Sequence, residues 1–441
     1  MMYKNRAVLA GVALLALSGC GIFKGGGKKT PVLGDRVPIL MAESEVTSDK
    51  SLADVQVLLP PPEVNDSWAQ PGGNASKSMG QLALGATLSR AWSVSIDGGS
   101  NRQRLAAPPV VADGRLYAMD VDANVHAFTA DSGSQVWTTN IAKGDKKTNS
   151  ARFGGGVSFD GGKVYATDGL GDVVALDAAT GAEVWRAKPG GPLRGSPTID
   201  NDNLYVLSQD NQLFALAKAT GAVVWTQSGS LETQGVFGVA APAMGQGTII
   251  AGFSSGELNA YRYENGRTLW QDALSRSTIS TSVSSLADID ASPVIDRGLV
   301  FAVGQGGRMV ALEIVSGQRI WEQNFAGIST PWVAGEWLFL ITDDARLVCL
   351  ARATGKVRWI QQLRHYGSEK KKKNPITWYG PVLAGNRLIL TNSRGEIVSA
   401  SPDTGEPGTV IEGGKSYSLP PIVANSTLYV LDQKGRISAY R

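Results

Sequence analysis

Two histidines and two cysteines are all that 441 residues carry of the side chains most used for metal ligation and nucleophilic relays. His126 and His365 leave too little for a His-based metal centre or a charge-relay triad, and Cys20 with Cys349 allows at most one disulfide. Net charge is nearly absent as well. Lys and Arg total 42 against 39 Asp and Glu, a balance of +3, and Lys4 and Arg6 fall in a segment expected to be cleaved. A chain so close to neutral has no electrostatic basis for gripping a nucleic-acid backbone. The apolar run from Ala7 to Leu17 would rise through only about half of a ~30 Å bilayer core as a helix, too short to span it. Helical periodicity is missing throughout, which excludes bundles and helical solenoids.

What is present begins with an address. The run from Ala7 to Leu17 follows Lys4 and Arg6 and leads to Leu17-Ser18-Gly19-Cys20, the layout of an export signal. A Gly beside a Cys at the cleavage site resembles the bacterial lipobox, which implies lipidation of Cys20. An ordinary signal with an incidental Cys is the alternative. Gly21 after the Cys, where inner-membrane retention has Asp, implies the outer membrane. Residues 1–19 are therefore expected to be a signal peptide and 20–83 a lipid anchor and tether. Gly25-Gly26-Gly27 supplies flexibility there and Pro60-Pro61-Pro62 stiffness, with a short helix somewhere in Ser44 to Leu59. Residues 84–441 form the folded domain.

That domain repeats. Ala175-Leu176-Asp177-Ala178-Ala179-Thr180-Gly181-Ala182-Glu183-Val184-Trp185 recurs in frame at Ala127 to Trp137, Ala215 to Trp225, Ala260 to Trp270, Ala311 to Trp321 and Cys349 to Trp359. The Trp spacings average about 44 residues, a propeller-blade period. Within a copy, short β-rich runs are separated by Gly, Asn and Asp, which tolerate the positive φ of tight hairpins. Turns between the first two strands number eight, from Asp113-Gly114 to Asn425-Ser426. The seventh copy loses its Trp after Asp403-Thr404-Gly405, and the eighth stops at Tyr440-Arg441 before its last strand. Ala91-Trp92-Ser93-Val94 has that strand's signature with no unit before it. The expectation is an all-β, eight-bladed propeller of four-stranded antiparallel blades, its ring closed by the strand around Trp92 against Ile437 to Tyr440.

The repeated tryptophans (92, 137, 185, 225, 270, 321, 359) read as inter-blade packing, because a ligand site needs one special position and not seven equivalent ones. Trp332 and Trp378 fall near blade starts, where they would line a face of the disc. Cys349, within Leu347-Val348-Cys349-Leu350, reads as a buried structural thiol, and His126 as a satisfied strand residue. Lys370 to Lys373 read as a solvated loop, with contact to anionic lipid or an acidic partner as the alternative. Gly154-Gly155-Gly156 and Gly304-Gln305-Gly306-Gly307 do not lead into helices and so cannot cradle phosphate.

The Ala-x-Asp-x-x-Thr-Gly-x-x-x-Trp pattern resembles the quinoprotein-type (PQQ-like) repeat, which implies the fold but not the cofactor. Adjacent cysteines of the kind that the quinone dehydrogenases carry are absent. Lipobox, tether and eight-bladed ring together resemble the BamB family of outer-membrane assembly lipoproteins. That resemblance implies a non-enzymatic scaffold on the periplasmic side of the outer membrane, with no catalytic residue, cofactor or metal. Its partners would be the POTRA region of a BamA-like barrel insertase, other subunits of the β-barrel assembly (BAM) complex and nascent barrel proteins.

Two docking elements follow from it. Ser284-Ser285-Leu286-Ala287-Asp288-Ile289-Asp290-Ala291-Ser292-Pro293-Val294 is similar to the acidic segment that this family places before a Thr/Ser-Pro-Val strand, which makes Asp288 and Asp290 partner-contact candidates. The bland alternative is a solvated turn. The family's Leu-x-Leu-Arg loop corresponds to Leu231-Glu232-Thr233-Gln234, where only Leu231 agrees and the Arg is missing. Outer strand edges are expected to accept extended segments by β-augmentation. The competing reading, a periplasmic PQQ-dependent dehydrogenase-like or small-molecule-binding propeller, requires charged residues converging on the central channel.

Overall fold

The structure is a computed structural model that describes residues 46–100, 103–143, 152, 154–231, 240–274 and 288–441. Among these, the chain forms eight four-stranded antiparallel sheets and one two-stranded hairpin. Blade one comprises Val110–Ala112, Arg115–Met119, Asn124–Thr129 and Gln135–Asn140, from the channel outward. Blades two to seven follow in chain order at 156–187, 198–228, 243–273, 294–323, 332–362 and 378–412. Blade eight takes its three inner strands from Ile422–Ala424, Thr427–Leu431 and Arg436–Tyr440 and its outer strand from Arg90–Ser95, as expected from Trp92. Trp92 pairs with Ala439 and Val94 with Ile437.

Local chemistry explains each turn. Between the two innermost strands, Asp113 and Gly114 adopt φ of 48° and 71°, the paired positive angles of a tight hairpin. Between the second and third strands, a side-chain oxygen gathers the turn's N–H groups. Asp120 Oδ1 accepts from the N–H of Asp122 and Asn124, and Asp168 Oδ1 from those of Leu170 and Asp172. Between the third and outer strands, Asp177 Oδ1 accepts from Ala179 N, Thr180 N and Thr180 Oγ1, and Gly181 closes the hairpin.

The repeat's Ala and Trp are register partners. Trp137 faces Ala127, Trp185 faces Ala175 and Trp225 faces Ala215, with a β-bulge beside each pair. Each indole then crosses to the next blade. Trp92, Trp137, Trp185, Trp225, Trp270, Trp321 and Trp359 donate their Nε1–H to Ala130, Ala178, Lys218, Tyr263, Ile314, Arg352 and Pro402 carbonyls respectively. The ring stacks on that hairpin's glycine, where a Cβ on Gly181 would lie 2.7 Å from Trp137 and one on Gly221 2.5 Å from Trp185. Packing is thus the role of all seven. Blade seven has no such Trp, and blade eight, whose outer strand is Arg90–Ser95, has no hairpin between its third and outer strands to receive one.

The expected tether is corrected by the structure. Residues 46–83 pack on the propeller and belong to the same compact unit, which starts at Val46 and not at residue 84. One 3-10 turn, Lys50–Leu52, is the helix formed there. Asp49 N–H bonds the Val357 carbonyl on the outer strand of blade six. The chain then crosses to the channel and makes one circuit of the innermost strands. In order, Asn65 meets Asn425 of blade eight, Trp68 pairs with Val111 of blade one, and Ala69 accepts from Phe159 N of blade two. The Gln70 amide pairs with Ile199 of blade three. Ala75 and Ser76 accept from Met244 N and Ile295 N of blades four and five, Gly80 from Trp332 Nε1 of blade six, and Leu82 pairs with blade seven at Leu383 and Gly385. The circuit closes on itself where Glu63 pairs with Gln81 and Ala83. Gly and Pro let this belt bend; backbone hydrogen bonds to six blades, and side-chain bonds of Gln70 and Trp332 to the other two, hold it without a sequence pattern of its own.

Candidate functional site

The outer strands end, and the next blades' innermost strands begin, on the disc face opposite the belt. The candidate residues lie there. Leu231 follows the outer strand of blade three and is 80% exposed. Its base is fixed, since Asn211 Nδ2 donates to the Ser230 carbonyl at 2.7 Å and the Glu257 carboxylate accepts from Ser230 N and Oγ, both at 2.7 Å. Glu232 to Gln234 lie outside the described residues, as do Ser284 to Ala287 and Cys20.

Asp288 and Asp290 are not open acceptors. Asp288 is 1% exposed and its Oδ1 accepts from Arg194 Nη2 at 2.9 Å, while Asp290 Oδ1 accepts from the same nitrogen at 3.3 Å. Arg194, itself 1% exposed, leads into blade three, so the pair spans the connections into blades three and five. Gln305 completes the cluster: its Nε2 donates to Asp290 Oδ2 at 2.6 Å and its N–H to the Asp288 carbonyl at 3.0 Å. Burial, reinforced by the neighbouring Asp288 charge, pushes the Asp290 carboxyl up to about 7 against the pull of Arg194. The loop before blade five is thereby pinned from within.

Behind this face the central channel opens into a cavity of about 480 Å³, with the belt residues Trp68, Pro71, Gly72 and Lys77 as its floor. Asp290 and Gln305 lie at its wall. Trp332, expected on a face of the disc, instead stacks on Trp68 within the channel, with centroids 6.1 Å apart. Trp378 is buried and donates to the Arg364 carbonyl. His126 bonds Asp120 at 2.9 Å, and burial drives the Cys349 thiol upward, so both are structural. Lys370 to Lys373 are exposed on a hairpin formed by Tyr366–Ser368 and Lys373–Pro375.

A quinone with Ca²⁺ does not fit this channel. Among the described residues no cluster of three or more His, Cys, Asp or Glu is placed to hold a metal, and Asp290, the wall's carboxylate, is already held by Arg194 and Gln305. Arg194, Gln305 and the belt were invisible to sequence reasoning. Arg194 meets its carboxylates 94 and 96 residues away, and no local signal marks it.

Fold and site define a PQQ-like-repeat propeller with a belted channel and one loop-bearing face. A profile described as outer membrane protein assembly factor BamB matches residues 121–361. The BamB of Escherichia coli (strain K12) is 30% identical over 303 residues, 68% of this chain and 76% of that protein. The chain belongs to the BamB family of outer membrane protein assembly factors. In fold it matches the crystal structure of BamB from Moraxella catarrhalis, with a TM-score of 0.69 at 20% identity over 80% of this chain and 100% of that one. It also matches the quinohemoprotein alcohol dehydrogenase from Comamonas testosteroni, with a TM-score of 0.66 at 15% identity over 85% and 80%. Both likenesses concern the fold alone.

Proposed function

We propose that the chain is a non-enzymatic scaffold subunit of the BAM complex, lipidated at Cys20, held at the periplasmic face of the outer membrane and docked on the POTRA region of a BamA-like insertase. Family membership supports the assembly role, and one observation carries the docking face: Leu231 is 80% exposed on a loop base fixed by Asn211 and Glu257. An exposed Leu on an ordered base buries apolar area on binding with little ordering cost. In this reading Leu231 touches the partner directly. Asp288 and Asp290 act through Arg194, by fixing the loop that leads into blade five.

Nascent barrel strands are the second partner of this reading. The outer strands present Val136, Val184, Val223, Leu269 and Ile320, each between 40% and 49% exposed, along the disc rim, where an added strand would find both backbone groups and apolar side chains. Within the described residues no helix is long and apolar enough to cross a membrane.

The deciding experiment is mild-detergent co-purification from membranes with a photo-crosslinker at Leu231 and, as control, one at Lys371 on the exposed hairpin. Adducts between position 231 and POTRA segments support the reading. Recovery without a barrel-assembly partner, or equal crosslinking from both positions, would overturn it.

A further inference from the structure

The floor of the channel carries two hydrogen-bond donors that the protein leaves short of acceptors. Lys77 is 2% exposed, and among the described residues its Nζ bonds only Thr198 Oγ1, at 3.1 Å, with no carboxylate in reach. Trp68 is 3% exposed, lines the same cavity, and its Nε1–H has no partner among the described residues. Buried polar groups are nearly always satisfied, so an amine with one bond and an N–H with none, on two residues that line one cavity, ask for an acceptor from outside the chain.

The lysine is placed deliberately. It adopts a left-handed φ of 65°, and its stem is packed under Gly72, where a Cβ would lie 2.8 Å from Lys77 Cδ. Strain of this kind persists only where the surroundings enforce it. Above the floor, Trp332, Leu105, Pro108, Ile328, Val382 and Leu419 build a mainly apolar wall. The cavity volume, about 480 Å³, is that of a site for one small molecule.

We infer that the belt turns the propeller channel into a binding site for a small organic anion, a flat apolar body carrying one carboxylate or sulfonate, with Lys77 and Trp68 receiving the anionic head and the stacked Trp68 and Trp332 bordering the body. Burial holds the Lys77 ammonium down at about 7, and an anion at Nζ favours its charged form. Across the cavity, Asp290 is occupied by Arg194 and Gln305 and does not oppose such a ligand with an open carboxylate.

The test uses the whole mature chain and two fluorescent probes of similar shape, anilinonaphthalene sulfonate and the uncharged N-phenylnaphthylamine. Saturable binding of one sulfonate per chain is expected. Lys77→Met should weaken it about tenfold or more while binding of the neutral probe stays within about twofold, and Lys77→Arg should restore most of the loss. Trp68→Phe keeps an aromatic ring and removes the N–H, and should weaken the sulfonate selectively and by less. Equal losses for both probes in Lys77→Met, with an unchanged melting temperature, would overturn the anion site. So would sulfonate binding indifferent to Lys77, or none in the parent protein.

Discussion

A tryptophan seated on the glycine of the next blade is the residue that holds this ring, and it works only as a pair. Gly221 has a φ of +74°, and a methyl group there would press on Trp185 from 2.5 Å. Gly221→Ala should therefore lose about 1–3 kcal/mol in urea unfolding, and Trp225→Ala, which empties a site buried to 8% exposure, about 3–5 kcal/mol. Asp290 provides a pH signature. Its folded-state value near 7 lies above the ordinary 3.8, so between those two values unfolding releases a proton and stability falls as pH rises. Asp290→Asn should remove that component, gaining on the parent by on the order of 1–3 kcal/mol between pH ~5 and ~8. Asp168, pushed up to about 6 mainly by burial, has the same sign and remains in the variant, so the slope should flatten and not vanish. The Ala-to-Trp spacing was legible because both partners lie within one hairpin. The Arg194 cluster was not, since its members meet only after three blades have assembled.

At the scale of elements, the two N-terminal pieces differ in how far the sequence betrays them. The closing strand Arg90–Ser95 carries the signature of the strand it replaces, and its pairing with Ile437 to Tyr440 could be read from the repeat frame. The belt has the Gly and Pro content of a linker, and its bonds run mainly between backbones, which any side chain permits. Even Gln70, which copies a backbone pair with its amide, does so through a contact 129 residues away that no local pattern marks. Removing residues 46–83 from the mature chain should leave a folded ring that melts lower and loses the Trp68 and Trp332 stack, with a red-shifted tryptophan emission as the measurable sign. Loss of the β-sheet circular dichroism instead would mean that the ring cannot form without its belt.

For the molecule as a whole, the junction between blades seven and eight stands apart. The other seven each have an indole in the neighbouring hairpin, while this one joins the Trp-free outer strand Pro407–Glu412 to a blade that borrows its outer strand from the far end of the chain. Hydrogen exchange should show the earliest opening there, in 407–412 and 436–440, ahead of blades two to five. The belt also has a fixed contour: from Glu63 to Ala83 it touches every innermost strand once and meets its own beginning. Because one continuous segment is bonded to all eight blades in turn, it works as a clasp: blades that share no edge are held by the same short stretch of chain.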